Sequence, residues 1–276
     1  MADAGPPLDV ETVARTLLEC EAQRVETEPL TARWPDLNLE TAYAIQDQAL
    51  EMRLARGETL IGVKLGLTSR AKQRQMGVDA PITAWLTDAM VVPAYLRLPN
   101  ERLIHPRIEP EIAFVMRERL AGPGVTSARA LAAVDAVHGA LEVIDSRYRE
   151  FRFGLPDVVA DNGSSASFVI GACARSPRDL DLMFEACLLS INGRILHTAT
   201  AAAILGDPAQ ALAFAANELA RRGRVIEAGW IVLAGALTEA VTLQEDAVIR
   251  AAYSGCGTVS LQYGSAREPC ARPHGV

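Results

Sequence analysis

The sequence is short of lysine and of long apolar segments. Lysine accounts for only two of its 27 basic residues, Lys64 and Lys72. No apolar run approaches the ~18 to 20 residues that a transmembrane helix needs, and the residues after Met1 lack the basic and apolar regions of a secretory signal. We therefore expect a cytoplasmic protein that does not bind a membrane, with enough residues to bury a sizeable core.

Cysteine, basic charge and phosphate-binding loops are also scarce. The five cysteines show no CxxC spacing and are odd in number, which argues against a zinc site and a disulfide framework. A net charge of −7 and a pI near 5.2 argue against nucleic acid as a partner, because phosphate binding requires a basic face. Neither a GxGxxG segment nor a P-loop pattern occurs, so nothing supports a nucleotide-binding fold.

The rarity of lysine makes Lys64 a candidate for chemistry. Arginine stays protonated, whereas the pKa of a lysine can be moved by burial or by a neighbouring charge. Lys64 lies within an apolar segment, and elsewhere this chain almost always uses arginine where it carries a positive charge. The alternative is chance retention in an arginine-rich composition, and composition alone favours neither interpretation.

The order of predicted elements indicates an α+β protein. Apolar residues at helical spacing predict helices over 8–24 and 39–56, and Asp207-Pro208 begins a third that runs to about Arg222. Between and after them lie strand-like runs with few helices. Asn192-Gly193 predicts a type I′ hairpin turn. The predicted runs are 60–67, 91–98, 108–116, 140–146, 166–170, 187–191, 230–237 and 247–253.

This order divides the chain into three parts. We expect an N-terminal helical region at residues 1–57, a strand-rich catalytic domain at 58–264 and a mobile tail at 265–276, where two prolines follow Gly264.

Three glutamates stand in apolar strand-like segments. Alternation over residues 108–115 would turn Glu109 and Glu111 to one side of a strand, and Pro110 suits an edge strand or a bulge near a site. Glu142 is the lone acid in a second apolar strand. Converging carboxylates repel unless a cation lies between them or one of them is protonated, and three hard oxygen ligands suit Mg²⁺ or Mn²⁺. An ordinary sheet face with solvated glutamates is the alternative.

Other polar residues near these strands have two interpretations each. His105 is a candidate ligand or general base, or it forms hydrogen bonds in a turn. Arg147, with Asp145 and Arg149, would orient a substrate carboxylate or the glutamates, or would belong to a surface ion-pair cluster. Residues 161–165 form a turn whose donors also suit an oxyanion.

Four segments together resemble the family of 2-oxopent-4-enoate hydratases and 4-oxalocrotonate decarboxylases, within the fumarylacetoacetase-like superfamily. The resemblance runs from about residue 39 to 263. It is carried by GVKLGLTS at 62–69, HPRIEPEIAF at 105–114, ALEVIDSR at 140–147 and ADNGSS at 160–165.

The resemblance implies a mixed β-roll fold and a site for Mg²⁺ or Mn²⁺. The implied metal ligands are Glu109, Glu111 and Glu142, and Lys64 falls at the family's active-site lysine. The implied partners are a small 2-oxo-acid substrate, further copies of the chain in a homo-oligomer, and a related hydratase. The expected substrate contacts are Leu67, Ile82, Arg147 and Ser164.

One position separates the two chemistries of this family. Hydratases typically carry an aspartate where this chain has Ile82, and water addition needs a positioned base, whereas loss of CO₂ needs an electron sink and a poorly solvated carboxylate. We therefore expect decarboxylation of 2-oxohex-3-enedioate. Hydration stays the alternative, because Asp79 lies three residues earlier. Two further alternatives are a non-catalytic partner subunit and another reaction of the superfamily with His105 as base.

Overall fold

The computed structural model describes residues 7–93 and 96–265. Helices come first and strands predominate from Leu60 onward, which is the order expected for an α+β protein. The helices are α1 (Val10–Gln23), α2 (Leu30–Arg33), α3 (Leu39–Ala55), α4 (Arg70–Met76), α5 (Ser127–Ala132), α6 (Leu155–Ala160) and α7 (Pro208–Arg221). The strands are β1 (Leu60–Gly66), β2 (Ile82–Thr87), β3 (Arg97–Leu98), β4 (Arg107–Met116), β5 (Val134–Ile144), β6 (Ser165–Ile170), β7 (Ala186–Ile191), β8 (Arg194–Thr200), β9 (Ile231–Ala236), β10 (Val241–Thr242), β11 (Val248–Tyr253) and β12 (Gly257–Tyr263).

The three long helices each begin after a polar N-cap residue that can be recognised in the sequence. The side chains of Asp9, Asn38 and Asp207 accept hydrogen bonds from backbone N–H groups in the first turns of α1, α3 and α7. Each predicted helix is confirmed within about two residues at either end, which is the ordinary uncertainty of a helix boundary.

The strand prediction missed β2 and β12 and was wrong about the run 91–98. Among the described residues of that run, Val91 makes an isolated bridge, Pro93 lacks a ladder donor and only Arg97–Leu98 is a strand. Strand β2 was missed because all six of its residues are buried, so it lacks the alternation that marks a half-buried strand. The Asn192-Gly193 turn is confirmed, with φ of 51° and 80°.

Two sheets form the body of the protein. Six strands of a seven-stranded sheet follow the order β2-β1-β9-β4-β5-β6, and β10 pairs with β4. The second sheet has the order β3-β12-β11-β7-β8. The larger sheet curls until its two ends meet: the side-chain amide of Asn162, just before β6, donates to Trp85 O in β2 (3.0 Å) and accepts from Trp85 N (2.8 Å).

Strand β4 lies in the interior of the curled sheet. It pairs with β5 on one side and β9 on the other. The edge position suggested by Pro110 was therefore wrong, although the register with β9 shifts beside it, between Glu111 and Ala113. Tyr253 of the second sheet ties β4 to β5, because its hydroxyl lies 2.9 Å from Glu111 O and 2.8 Å from Ala140 O.

The predicted division at residue 57 falls between the end of α3 at Ala55 and the start of β1 at Leu60. That the two parts are separate domains stays a prediction. The predicted tail lies outside the described residues from 266 onward. Within the part of the chain that the structure describes, no helix is long and apolar enough to cross a bilayer.

Candidate active site

Strands β4 and β5 bring three buried carboxylates together. Glu109 and Glu111 share one face of β4, and Glu142 of β5 is the direct cross-strand partner of Glu109. One carboxylate oxygen from each of the three lies within 4.8 Å of the others. Their exposed fractions are 6%, 0% and 0%. The register of two adjacent strands is therefore what assembles this acidic cluster.

The three acids of the cluster repel one another when they are ionised. Burial raises the pKa of Glu111 well above its ordinary value, and the charges of Glu142 and Glu109 raise it further. Glu111 Oε2 accepts a hydrogen bond from Gly235 N (2.8 Å), whereas its buried Oε1 has no hydrogen-bond partner among the described residues. A hard divalent cation, which takes carboxylate oxygens as ligands, fits this donor set.

Lys64 reaches the acidic cluster from β1. Its Nζ lies 3.2 Å from Glu142 Oε1 and 2.8 Å from the carbonyl oxygen of Gly163, and its side chain is 3% exposed. Burial by itself lowers the pKa of Lys64, but the charges of Glu142, Glu109 and Glu111 outweigh that effect, so the pKa is raised. The ammonium group is thus fixed between a metal-site candidate and a backbone carbonyl.

A left-handed turn at residues 162–164 places the carbonyl that holds Lys64. Asn162, Gly163 and Ser164 have φ of 49°, 61° and 56°, an uncommon conformation for the two non-glycine residues. A Cβ at residue 163 would lie 2.8 Å from Lys64 Cε, so only glycine fits there. Next in the chain, Ser165 Oγ donates to Glu142 Oε1 (3.0 Å).

A cavity of about 410 Å³ opens above Lys64 and Glu109. Its walls combine apolar side chains with several charged and polar groups, as in small-molecule sites generally. The remaining lining residues are Gly66, Leu67, Ile82, Arg107, Ile144, Phe151, Phe153, Val158, Gly163, Ser164, Glu239 and Ala240. Among the residues expected to contact substrate, Leu67, Ile82 and Ser164 thus line one cavity with Lys64.

Arg147 is not among the residues that line this cavity. Its buried guanidinium forms an ion pair with Asp161 and donates to the backbone carbonyls of Asp161 (2.5 Å) and Asp145 (2.8 Å). Burial raises the pKa of Asp161 to about 6, against the opposing charge of Arg147. These contacts give Arg147 a structural role, and its expected contact with the substrate stays a prediction.

His105 also lies outside the cavity lining. Its Nδ1 is 2.7 Å from a carboxylate oxygen of Glu26 and its Nε2 is 2.7 Å from Ser146 O. Both ring nitrogens are thereby engaged, which favours the structural interpretation over a ligand or general base. Asp79, the alternative acid for water addition, is exposed and does not line the cavity either.

Several site residues could not be found from local patterns. Arg107, Phe151 and Phe153 line the cavity, and Ser165 bonds a candidate metal ligand. Arg107 carried one usable signal, since it stands two residues before Glu109 in a strand and so shares its face. The two phenylalanines lie on an irregular segment, and no periodicity points to them.

The chain is similar to curated enzymes over most of its length. It is 41% identical over 234 residues to the 4-oxalocrotonate decarboxylase of Pseudomonas sp. (strain CF600), covering 85% of this chain and 89% of that relative. It is 45% identical over 208 residues to a 2-hydroxypent-2,4-dienoate hydratase of Pseudomonas putida, covering 75% of this chain and 94% of the relative. No protein-family model matches the chain.

Solved structures share the fold. The 4-oxalocrotonate decarboxylase from Pseudomonas putida G7, complexed with magnesium and adipate, superposes with a TM-score of 0.91 at 36% identity, over 94% of this chain and all of that one. A fumarylacetoacetate hydrolase from Exiguobacterium antarcticum has a TM-score of 0.59 at 15% identity over 76% of each chain, which concerns the fold alone. The expected α+β class and fumarylacetoacetase-like fold are thus confirmed.

Proposed function

Because the chain belongs to the family of 4-oxalocrotonate decarboxylases and 2-hydroxydienoate hydratases, we propose that it decarboxylates 2-oxohex-3-enedioate to 2-hydroxypenta-2,4-dienoate and CO₂, in meta-cleavage catabolism of aromatic compounds. The observation that carries this choice is a cavity lined by Lys64, by Glu109 of the acidic cluster and by the apolar side chain of Ile82.

Glu109, Glu111 and Glu142 would hold the Mg²⁺ or Mn²⁺ that this proposal requires. The unpartnered Glu111 Oε1 and the closely spaced carboxylates support that assignment. When bound, a divalent cation supplies Lewis-acid stabilisation of the developing negative charge on the oxygen at C2 of a 2-oxo-acid. The protein supplies the remaining contacts.

The substrate is a vinylogous β-keto acid. When its C5–C6 bond breaks, the bonding electrons move through the alkene to the C2 oxygen, CO₂ leaves, and the dienolate takes up one proton. Lys64 is a buried cationic group that contacts Glu142 of the acidic cluster, and we assign it the stabilisation or protonation of that oxygen. Leu67, Ile82, Phe151 and Phe153 keep water from the departing carboxylate, which becomes less polar as it leaves.

Hydration of a 2-oxo-enoate is the second candidate, and the 45% identity to a hydratase favours it. Water addition needs a general base beside the alkene. Among the described residues that line the cavity, Glu239 is the one acid besides Glu109, and it is exposed. A non-catalytic partner subunit ranks third, since the acidic cluster and Lys64 are all present.

One assay separates these functions. Purified protein with Mg²⁺ should be given the oxo-enedioate and, separately, the hydroxydienoate, with CO₂ release and water addition followed independently. We expect CO₂ release only, and Ile82→Asp should suppress it by solvating and repelling the departing carboxylate. Efficient hydration by the unaltered protein without CO₂ release would contradict the decarboxylase assignment.

We further propose that the protein is cytoplasmic, forms a homo-oligomer and associates with a related hydratase. The absence of a membrane-spanning helix in the described residues is consistent with the first point. The last follows from the chemistry, because the hydroxydienoate product is what a hydratase consumes. Size-exclusion chromatography with light scattering, alone and with the hydratase, would test both associations.

A further inference from the structure

We infer that Arg107 binds the distal carboxylate of the substrate and thereby makes the cavity selective for dicarboxylic over monocarboxylic 2-oxo-acids. This inference rests on the proposed function for its substrate class. Arg107 lines the same cavity as Lys64 and Glu109, and it belongs to none of the groups already assigned a role in the chemistry.

The register of β4 sets Arg107 at a suitable distance from the acidic cluster. Arg107 and Glu109 are paired in unbroken register with Ile144 and Glu142 of β5, so their side chains leave the same face of the strand. Two residues of strand advance ~6.5 to 7 Å. An extended six-carbon dioate spans about 6 Å between its carboxyl carbons, from C–C bonds of about 1.5 Å. One carboxylate at the acidic cluster would therefore bring the other near Arg107.

The guanidinium of Arg107 is oriented without being neutralised. Its Cζ lies 4.0 Å from the ring centroid of Phe151, a cation–π contact. The Phe151 ring in turn contacts that of His105, with centroids 4.8 Å apart and the rings tilted by 41°. Among the described residues Arg107 forms no ion pair. An arginine fork held by an aromatic face keeps its hydrogen-bond donors free for a carboxylate.

The other charges of the cavity do not compete for this role. Lys64 is committed to Glu142 and the Gly163 carbonyl at the inner end. Glu239 also lines the cavity, but it is exposed and no ion pair joins it to Arg107. Among its described lining residues the cavity therefore has Glu109 beside Lys64 at one end and the unpaired cation of Arg107 along β4, which matches a ligand with a carboxylate at each end once the proposed metal is bound.

Selectivity of this kind should act on binding rather than on the rate of bond breaking. The distal carboxylate loses its charge as it becomes CO₂, so its attraction to Arg107 weakens in the transition state. Removing the arginine should then raise KM for the enedioate more than it lowers kcat. The product lacks the distal carboxylate and would no longer be held by Arg107, which favours its release.

The test uses two stable probes that differ only in the distal carboxylate, 2-oxohexanedioate and 2-oxohexanoate. Neither has the alkene needed for decarboxylation, so calorimetric titration of the Mg²⁺-loaded protein reports binding alone. We expect the unaltered protein to bind the dioate about 10- to 100-fold more tightly than the monoacid. Arg107→Met should abolish this preference while leaving the monoacid affinity within about threefold, and Arg107→Lys should retain part of it.

Arg119→Met is the matched control, because Arg119 is an exposed arginine just beyond the far end of β4; it should keep the full preference. An unchanged dioate preference in Arg107→Met, or no preference in the unaltered protein, would overturn the inference. The decarboxylase proposal can fail separately: selective dioate binding without CO₂ release from the enedioate would refute that function and leave the role of Arg107 intact.

Discussion

Two buried charged clusters lie near the turn at residues 161–165, and they differ in charge: one pairs opposite charges, whereas the other brings three acids together. Arg147 and Asp161 form an ion pair in which the guanidinium also reaches two backbone carbonyls. The acidic cluster of Glu109, Glu111 and Glu142 has three acids, Lys64 contacts it, and one buried oxygen of Glu111 has no hydrogen-bond partner among the described residues. In the first cluster the opposite charges are paired with each other. The second brings like charges together, which fits the metal site that we propose there.

The largest effect should come from removing Lys64. Lys64→Met eliminates the one ammonium held between Glu142 and the Gly163 carbonyl, and we expect kcat for CO₂ release to fall by about 10² to 10⁴-fold. Lys64→Arg preserves charge, but its larger fork does not fit the 2.8 Å approach to Gly163 O, so activity should recover only in part. Unchanged turnover in both variants would show that Lys64 is structural.

Breaking the Arg147–Asp161 ion pair should destabilise the fold rather than lower catalysis directly. Arg147→Met leaves Asp161 buried without its ion-pair partner, and we expect a loss of about 3 to 5 kcal/mol in the free energy of unfolding, measured with urea. Adding Asp161→Asn should recover part of that loss. The control is Arg15→Met, which removes an exposed pair with Glu11 and should cost less than about 1 kcal/mol. Equal effects of the two single variants would remove the distinction between these pairs.

In the acidic cluster, removing one charge should raise the free energy of unfolding rather than lower it. In metal-free protein, Glu111→Gln relieves repulsion among buried carboxylates and should stabilise the fold by about 1 to 2 kcal/mol. The raised pKa of Glu111 means that the folded state binds a proton that the unfolded state has released above its ordinary pKa of 4.5. Stability of the unaltered metal-free protein should therefore fall as pH rises from about 4.5 through that raised pKa, and less so in the variant.

Thermal unfolding across pH 5 to 8 in the presence of a chelator would measure this difference. Mg²⁺ should then raise the melting temperature of the unaltered protein but not that of Glu111→Gln, because a ligand stabilises only the state that binds it. A variant that is less stable than the unaltered protein without metal would show that the cluster carries no uncompensated charge.

The contrast between local and long-range order explains what the sequence could predict. Alternation along one strand was enough to put Glu109 and Glu111 on a common face, and capping residues were enough to locate the long helices. The approach of Lys64 to Gly163, 99 positions apart, depends on the curl of the whole sheet. No local pattern carries that information, and the four family-like segments supplied it only as an expectation.

The role of Arg147 could not be decided from its position in the sequence. A buried arginine close to a candidate ligand in sequence is compatible with substrate binding or with a structural ion pair. The choice depends on whether Asp161, reached through the turn after α6, meets its guanidinium. The family resemblance singled out Ile82 as the position expected to separate the two chemistries, although the strand that carries it was missed, because the two inferences use different signals.

The most direct test of this account is the binding of Mn²⁺ to metal-free protein, followed by the electron paramagnetic resonance signal of the free ion. We predict one tightly bound Mn²⁺ per chain, at least about tenfold weaker binding in each of Glu109→Gln, Glu111→Gln and Glu142→Gln, and unchanged binding in Glu239→Gln, whose exposed carboxylate lies in the same cavity. Wild-type affinity in all three cluster variants, or no stoichiometric binding in the unaltered protein, would contradict the metal-site assignment.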